Sequence, residues 1–251
     1  MNRILVSILT LILYLFAQFA PTIANHFGLL PQHQNQFALM KQLIHIQLII
    51  FIVVAVIILI MQWRVKNPLQ LELGHKEPKR YILPWVIAGL AIVLILQIVV
   101  NVISVFVLNS NPASENTLKL MKIAKEMPIF ILLIAIIGPL LEEFVFRKVI
   151  FGELYQFIKG TNTIRFIIAS IISSSIFAIA HMDFSHFLAY FVMGIVFSAF
   201  YFYTKRLSVA IGIHMAQNAL VALVQLTIPE KVMEESLKQT QFIHTIFAFL
   251  F

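Results

Sequence analysis

Glu142 and Glu143 stand side by side in an otherwise apolar run from Gly138 to Phe146, closed by Arg147. An ionised carboxylate inside a bilayer costs about 3 kcal/mol on insertion scales, so such groups face a bundle interior or an aqueous cavity and mark function. Helical geometry separates the two acids. Glu143 and Arg147 are four residues apart and share a face, where they can form an ion pair. Glu142 lies roughly 100° further round the helix and is not committed to that arginine. Glu143 is therefore expected to be held, and Glu142 to be free to work.

Two more polar sets interrupt apolar segments downstream. Phe177 precedes His181 by four residues, with Ser174 two turns before His181 on the same face, and His214 precedes Asn218 by four residues on one helix face. A carboxylate, two histidines and an asparagine on three helices are the parts needed to attack an amide with water. The carboxylate or a histidine takes the proton from water. A second histidine and the asparagine amide donate to the oxygen that becomes negative. This chemistry needs no serine or cysteine nucleophile. The chain has no cysteine, which excludes disulfides, thiolate metal sites and cysteine nucleophiles.

These residues must be positioned by membrane helices. Of 251 residues 61% are hydrophobic and 12% charged, and the mean hydropathy is +0.95, far from a soluble composition. The fold class expected is all-α, a polytopic transmembrane bundle of seven to eight helices in one integral membrane domain. Spans are expected at Ile4–Ala24, Leu39–Trp63 and Ile82–Leu108 within residues 1–127, then at four catalytic helices within 128–226. Those four begin at Pro128, Thr163, Phe184 and Leu207. Residues 227–251 form a polar stretch and a short apolar segment, Phe242–Phe251, below the roughly twenty residues a span requires. Thr22 to Ala24 loosely resembles a signal-peptide cleavage site, but the apolar stretch is long and a polytopic chain follows, so the first segment is read as a retained span. Gln97 and Asn101 share a face of the third span and are expected to hydrogen-bond between helices. His45, His75 and His244, with Asp183 and His186 in a short outer turn, are assigned surface or packing roles.

With the amino terminus inside, twelve of the 18 Lys and Arg residues fall in inner segments and six in outer ones, which places the amino terminus in the cytoplasm. The net charge of +7 reflects that orientation and anionic lipid, and no nucleic-acid partner is expected. Helix lengths constrain the fourth helix. If it stopped at Phe151, Glu142 would lie roughly 14 Å above its inner end, against roughly 27 Å for His181; continued to Lys159, it lifts Glu142 to roughly 26 Å. The hairpin around Gly160 to Asn162 is thus expected to protrude into the cytoplasm. The site is expected to be a water-filled cavity opening toward the cytoplasm or sideways into the bilayer, with Phe146 and Phe177 near its substrate groove.

The three motifs in this order, Glu142-Glu143 with Arg147, Phe177 with His181, and His214 with Asn218, resemble the CPBP family. This family comprises the CAAX prenyl endoproteases and bacterial proteins linked to bacteriocin processing and self-immunity. The resemblance covers roughly residues 128–226 and points to the bacterial branch. It implies an intramembrane endopeptidase in which Glu142 activates water with help from His181, His214 and Asn218 stabilise the oxyanion, and Glu143, Arg147 and Phe177 support them. It implies a glutamate-dependent hydrolase without a cofactor; zinc held by Glu142, His181 and His214 is the alternative, although no HExxH-type histidine pair is present. The substrate implied is a membrane-associated peptide or protein, such as a bacteriocin or signalling-peptide precursor, and the oligomeric state is left open. Two other classes stand beside this one. A non-proteolytic scaffold or immunity protein would keep the fold and bind a partner. A proton-coupled transporter would also use buried Glu, Arg and His, but no inverted repeat or broken helix pair is evident.

Overall fold

The computed structural model describes residues 1–31, 35–107 and 114–227. Eight helices, and no strand, occur among these residues. They are α1 (Arg3–His26), α2 (Gln36–Trp63), α3 (Ile82–Phe106), α4 (Glu115–Glu126), α5 (residues 130–157), α6 (Asn162–Ala180), α7 (Phe187–Thr204) and α8 (Leu207–Thr227). Six of them, all but α4 and α5, are long and apolar enough to cross a membrane. The protein is a multi-pass membrane protein. Leu108, the stretch after Thr227, His244 and the short apolar segment lie outside the described residues.

Local chemistry starts the helices. The side chains of Asn2, Asn35, Ser114 and Thr161 each accept a backbone N–H from the first turns of α1, α2, α4 and α6. The chain leaves α7 through Lys205 in the left-handed region, at φ 56°.

α5 is the element around which the others pack. α1 and α2 lie against one side of it, and α6, α7 and α8 against the other. It runs without interruption in right-handed helical backbone through Phe130–Leu132, Leu133–Ile137, Gly138–Glu142, Glu143–Phe151 and Gly152–Phe157. The second and fourth of these segments are π-helical. The helix thus takes the longer of the two expected courses, ending two residues short of Lys159. Two helices approach closely where α6 meets α7. A Cβ added to Gly194 would sit 2.7 Å from the Cβ of Ser174, so only glycine allows this separation.

Two features differ from expectation. α4 was not anticipated: its amphipathic twelve residues are too short and polar to read as a span. Phe184–His186 forms a 3-10 turn, so the next helix starts at Phe187 rather than Phe184. At the end of the bundle that carries the 158–161 turn, polar ties fix the helices in register. Arg3 pairs with Glu153 at 3.0 Å, and Ser7 Oγ donates to Glu153 at 2.7 Å. Lys148 pairs with Glu72, and the Tyr201 hydroxyl donates to Glu72 at 2.7 Å. Gln97 takes the expected interhelical bond, from Gln217 Nε2 at 3.4 Å.

Candidate active site

Glu143 and Arg147 are both fully buried, with Arg147 Nε 3.2 Å from Glu143 Oε2. The guanidinium carbon lies 4.3 Å from the ring centroid of Phe177 and 5.1 Å from that of Phe197. Aromatic faces thus supply much of the environment that water would otherwise give this cation. The other oxygen of Glu143 is also occupied, since His214 Nδ1 donates to Glu143 Oε1 at 2.9 Å. That bond was not foreseen. It fixes the tautomer, because with Nδ1 protonated the His214 ring turns Nε2 toward Glu142, 3.8 Å from Oε2. The imidazole is further held by stacking on Phe197, ring centroids 4.8 Å apart.

Glu142 is the other kind of acid. Its side chain is 22% exposed, and it lines a cavity of about 470 Å³ together with His181 and Asn218. His181 Nδ1 donates to the Phe177 carbonyl at 2.8 Å, so its Nε2 is the nitrogen left for the cavity. Phe177 is buried among Arg147, His181 and His214 and does not form the cavity wall; Phe146 does. His214 is 3% exposed and stands behind Glu142.

Asn218 has a structural tie that sequence spacing does not reveal. Gly138 N–H bonds the Leu133 carbonyl, five residues back, and Pro139 has no N–H to give. The Ile134 carbonyl therefore loses both intrahelical donors, and Asn218 Nδ2 supplies one at 2.9 Å. One amide hydrogen of Asn218 is spent on the backbone, and the other remains for the cavity. Asn218→Leu should thus lower activity and also cost about 1 kcal/mol or more, because it leaves a part-buried carbonyl unpaired. Asn218→Gln, with a longer reach, should recover part of the stability in thermal unfolding.

The remaining walls come largely from elements outside the three motifs. Tyr14 and Gln18 of α1, Gln47 of α2 and Asn116 of α4 face the same cavity. Gln47 interrupts the apolar run of α2 and takes the interhelical bond such a residue suggests, donating Nε2 to the Ala17 carbonyl at 2.7 Å, but that run does not show that it also faces the site. The cavity lies toward the end where α5 begins (Phe130, Leu133) and α6 ends (Ala180, His181), away from the 158–161 turn. An opening toward the side that carries that turn is therefore not what the walls describe. A second apolar groove between α1 and α2, of about 310 Å³, shares Gln47, Phe130 and Leu133 with the cavity.

Asp183 and His186, expected at the surface, are each only 8% exposed. Ser114 Oγ donates to Asp183 Oδ2 at 2.6 Å, and His186 Nδ1 donates to Oδ1 at 3.3 Å. Burial alone would raise the Asp183 carboxyl, but these bonds and the Asn116 backbone outweigh it and hold the group below its usual range.

The family model for type II CAAX prenyl endopeptidase Rce1-like proteins matches residues 124–220, the segment that holds all three motifs. The membrane-embedded CAAX protease MroQ of Staphylococcus aureus (strain USA300) is 46% identical over 247 residues, covering 98% of this chain and 99% of that protein. The chain belongs to the Rce1-like CAAX protease family. A putative membrane peptidase of Bacillus subtilis (strain 168), YdiL, is 38% identical over 170 residues, 68% of this chain and 67% of that protein. No solved structure matches the chain. Among the described residues no three His, Cys, Asp or Glu side chains converge closely enough to hold a metal ion. His214 spends Nδ1 on Glu143, and its Nε2, 3.8 Å from the nearest Glu142 oxygen, is the nitrogen that faces that acid.

Proposed function

We propose that this family member is an intramembrane endopeptidase that hydrolyses a peptide bond with water activated by Glu142. The observation that carries the reading is the division of labour between adjacent acids, Glu143 buried between His214 and Arg147 and Glu142 open to the cavity. Water placed between Glu142 and His181 Nε2 gives its proton to Glu142 and its oxygen to the carbonyl carbon. The oxyanion is met by the second amide hydrogen of Asn218 and by His214 Nε2. Donation from Nε2 requires the doubly protonated ring, because Nδ1 is already committed to Glu143; once Glu142 holds the water proton, Glu143 supplies the countercharge. Glu142 then returns the proton to the leaving nitrogen as the C–N bond breaks, releasing a carboxylate and an amine.

No step runs through a metal, and activity of the purified protein should survive exhaustive chelation. Stoichiometric zinc whose removal abolishes cleavage would overturn this. The substrate class that fits is a membrane-associated peptide or protein, entering from the bilayer along the apolar groove between α1 and α2. A bacteriocin or signalling-peptide precursor fits that description, and so does a role in self-immunity. With the amino terminus in the cytoplasm, as the Lys and Arg distribution favours, the cavity lies toward the outer half of the bilayer. The test is comparative peptidomics of membranes carrying the wild type or Glu142→Gln. A precursor should accumulate in the variant; an unchanged peptide profile with a full phenotype would favour the scaffold reading.

A further inference from the structure

We propose that Tyr190 is a positioning residue of this site: its ring holds the His181 imidazole, and its hydroxyl couples that imidazole to the docking of α4 over the cavity. The inference rests on the reading of His181 as part of the water-activating pair.

The Tyr190 and His181 rings are stacked, with centroids 4.1 Å apart and planes 23° from parallel. Phe177 meets the imidazole edge-on, ring centroids 4.5 Å apart, and the Phe177 carbonyl takes its Nδ1 hydrogen. Three contacts thus set the direction of Nε2. His181 needs them, because it ends α6 and is followed at once by Met182 in the left-handed region, at φ 53°. A non-glycine residue there is strained and must be held by its surroundings.

The hydroxyl of Tyr190 points to a different element. Asn116 Nδ2 donates to it at 3.3 Å, and Ser114 Oγ lies 3.5 Å from it. Ser114 begins α4, accepts the Thr117 N–H at 3.1 Å and donates to Asp183. Asn116 and Leu120 of α4 form part of the cavity wall. One tyrosine therefore touches the imidazole with its face and the covering helix with its oxygen. If α4 lifts to admit a peptide, the hydroxyl loses its partners; when α4 returns, the ring is fixed again. Tyr190→Phe separates the two roles, keeping the stack and removing the tie, whereas Tyr190→Leu removes both.

The chain has no cysteine, so Lys122→Cys on α4 and Phe184→Cys in the turn can carry a nitroxide pair without background. Electron–electron distance measurement in lipid nanodiscs should give one narrow distribution, broadened by Tyr190→Phe. Kinetics of the purified proteins use the precursor that accumulates in Glu142→Gln membranes. Tyr190→Phe should leave turnover at saturation within about twofold and raise KM about fivefold or more, while Tyr190→Leu should lower turnover at least about tenfold, as misplacement of a reacting group does. An unchanged distance distribution in Tyr190→Phe overturns the coupling, and normal turnover in Tyr190→Leu overturns the positioning. Cleavage that persists in Glu142→Gln would instead defeat the glutamate mechanism, a separate failure from wild-type behaviour of the Tyr190 variants beside an inactive Glu142→Gln protein.

Discussion

Glu142→Gln should reduce cleavage about 10²–10⁴-fold, the range associated with loss of a positioned general base, with expression and helical content unchanged. The fold should survive because Glu142 carries little of it. Its Oε2 meets His214 Nε2 at 3.8 Å, longer than a hydrogen bond, and its side chain faces the cavity. Glutamine keeps the shape and removes the basicity. Glu142→Asp is the informative companion, since it keeps the charge and withdraws it by one methylene; displacement of about 1 Å can cost about 10²-fold. The measurement is turnover of the accumulated precursor by purified protein in nanodiscs, with circular dichroism and thermal unfolding as controls. A Glu142→Gln protein as fast as wild type would remove the glutamate from the reaction. A Glu142→Asp protein as fast as wild type would keep the charge but discard the geometry.

Much of this arrangement was legible because helices have a fixed period. The four-residue spacing of Glu143 and Arg147 predicted their pairing, and the hydrophobic runs located the long helices to within a few residues. Length arithmetic also favoured a fourth helix that continues past Phe151, and α5 does continue to Phe157. What periodicity could not show is where the period changes. The π-helical turn before Gly138 goes with a missing proline N–H, and so does the Asn218 bond to Ile134; neither this turn nor the one within Glu143–Phe151 shows in the apolar period. Nor could it show which face of an apolar span meets the cavity. Gln47 lies in a helix that is apolar nearly all round, and the uneven faces of α1 do not say what Tyr14 and Gln18 meet, so only the assembled bundle places them at the cavity. Asp183 looked like a turn residue until α4, an unforeseen element, brought Ser114 to it.

The largest stability effect is expected at the buried pair behind the site. Removing either partner of a buried ion pair leaves an uncompensated charge, at a cost of about 3–5 kcal/mol. Arg147→Met would strand Glu143, whose remaining donor is His214 Nδ1, and Glu143→Gln would strand Arg147 among phenylalanine rings. The double variant removes both charges and should regain much of the loss, because replacing such a pair by apolar or neutral groups is often close to neutral. Thermal or denaturant unfolding in one detergent, read as a double-mutant cycle, should show a coupling of roughly 1–3 kcal/mol. Additive losses would mean that the 3.2 Å contact is geometric proximity without energetic consequence. Activity should not follow stability. Glutamine at position 143 can still accept the His214 Nδ1 hydrogen, yet it offers no negative charge to a doubly protonated ring. The refolded double variant should therefore remain slow in cleavage while nearly normal in unfolding, which separates Glu143 as a partner of Arg147 from Glu143 as the group that prepares His214.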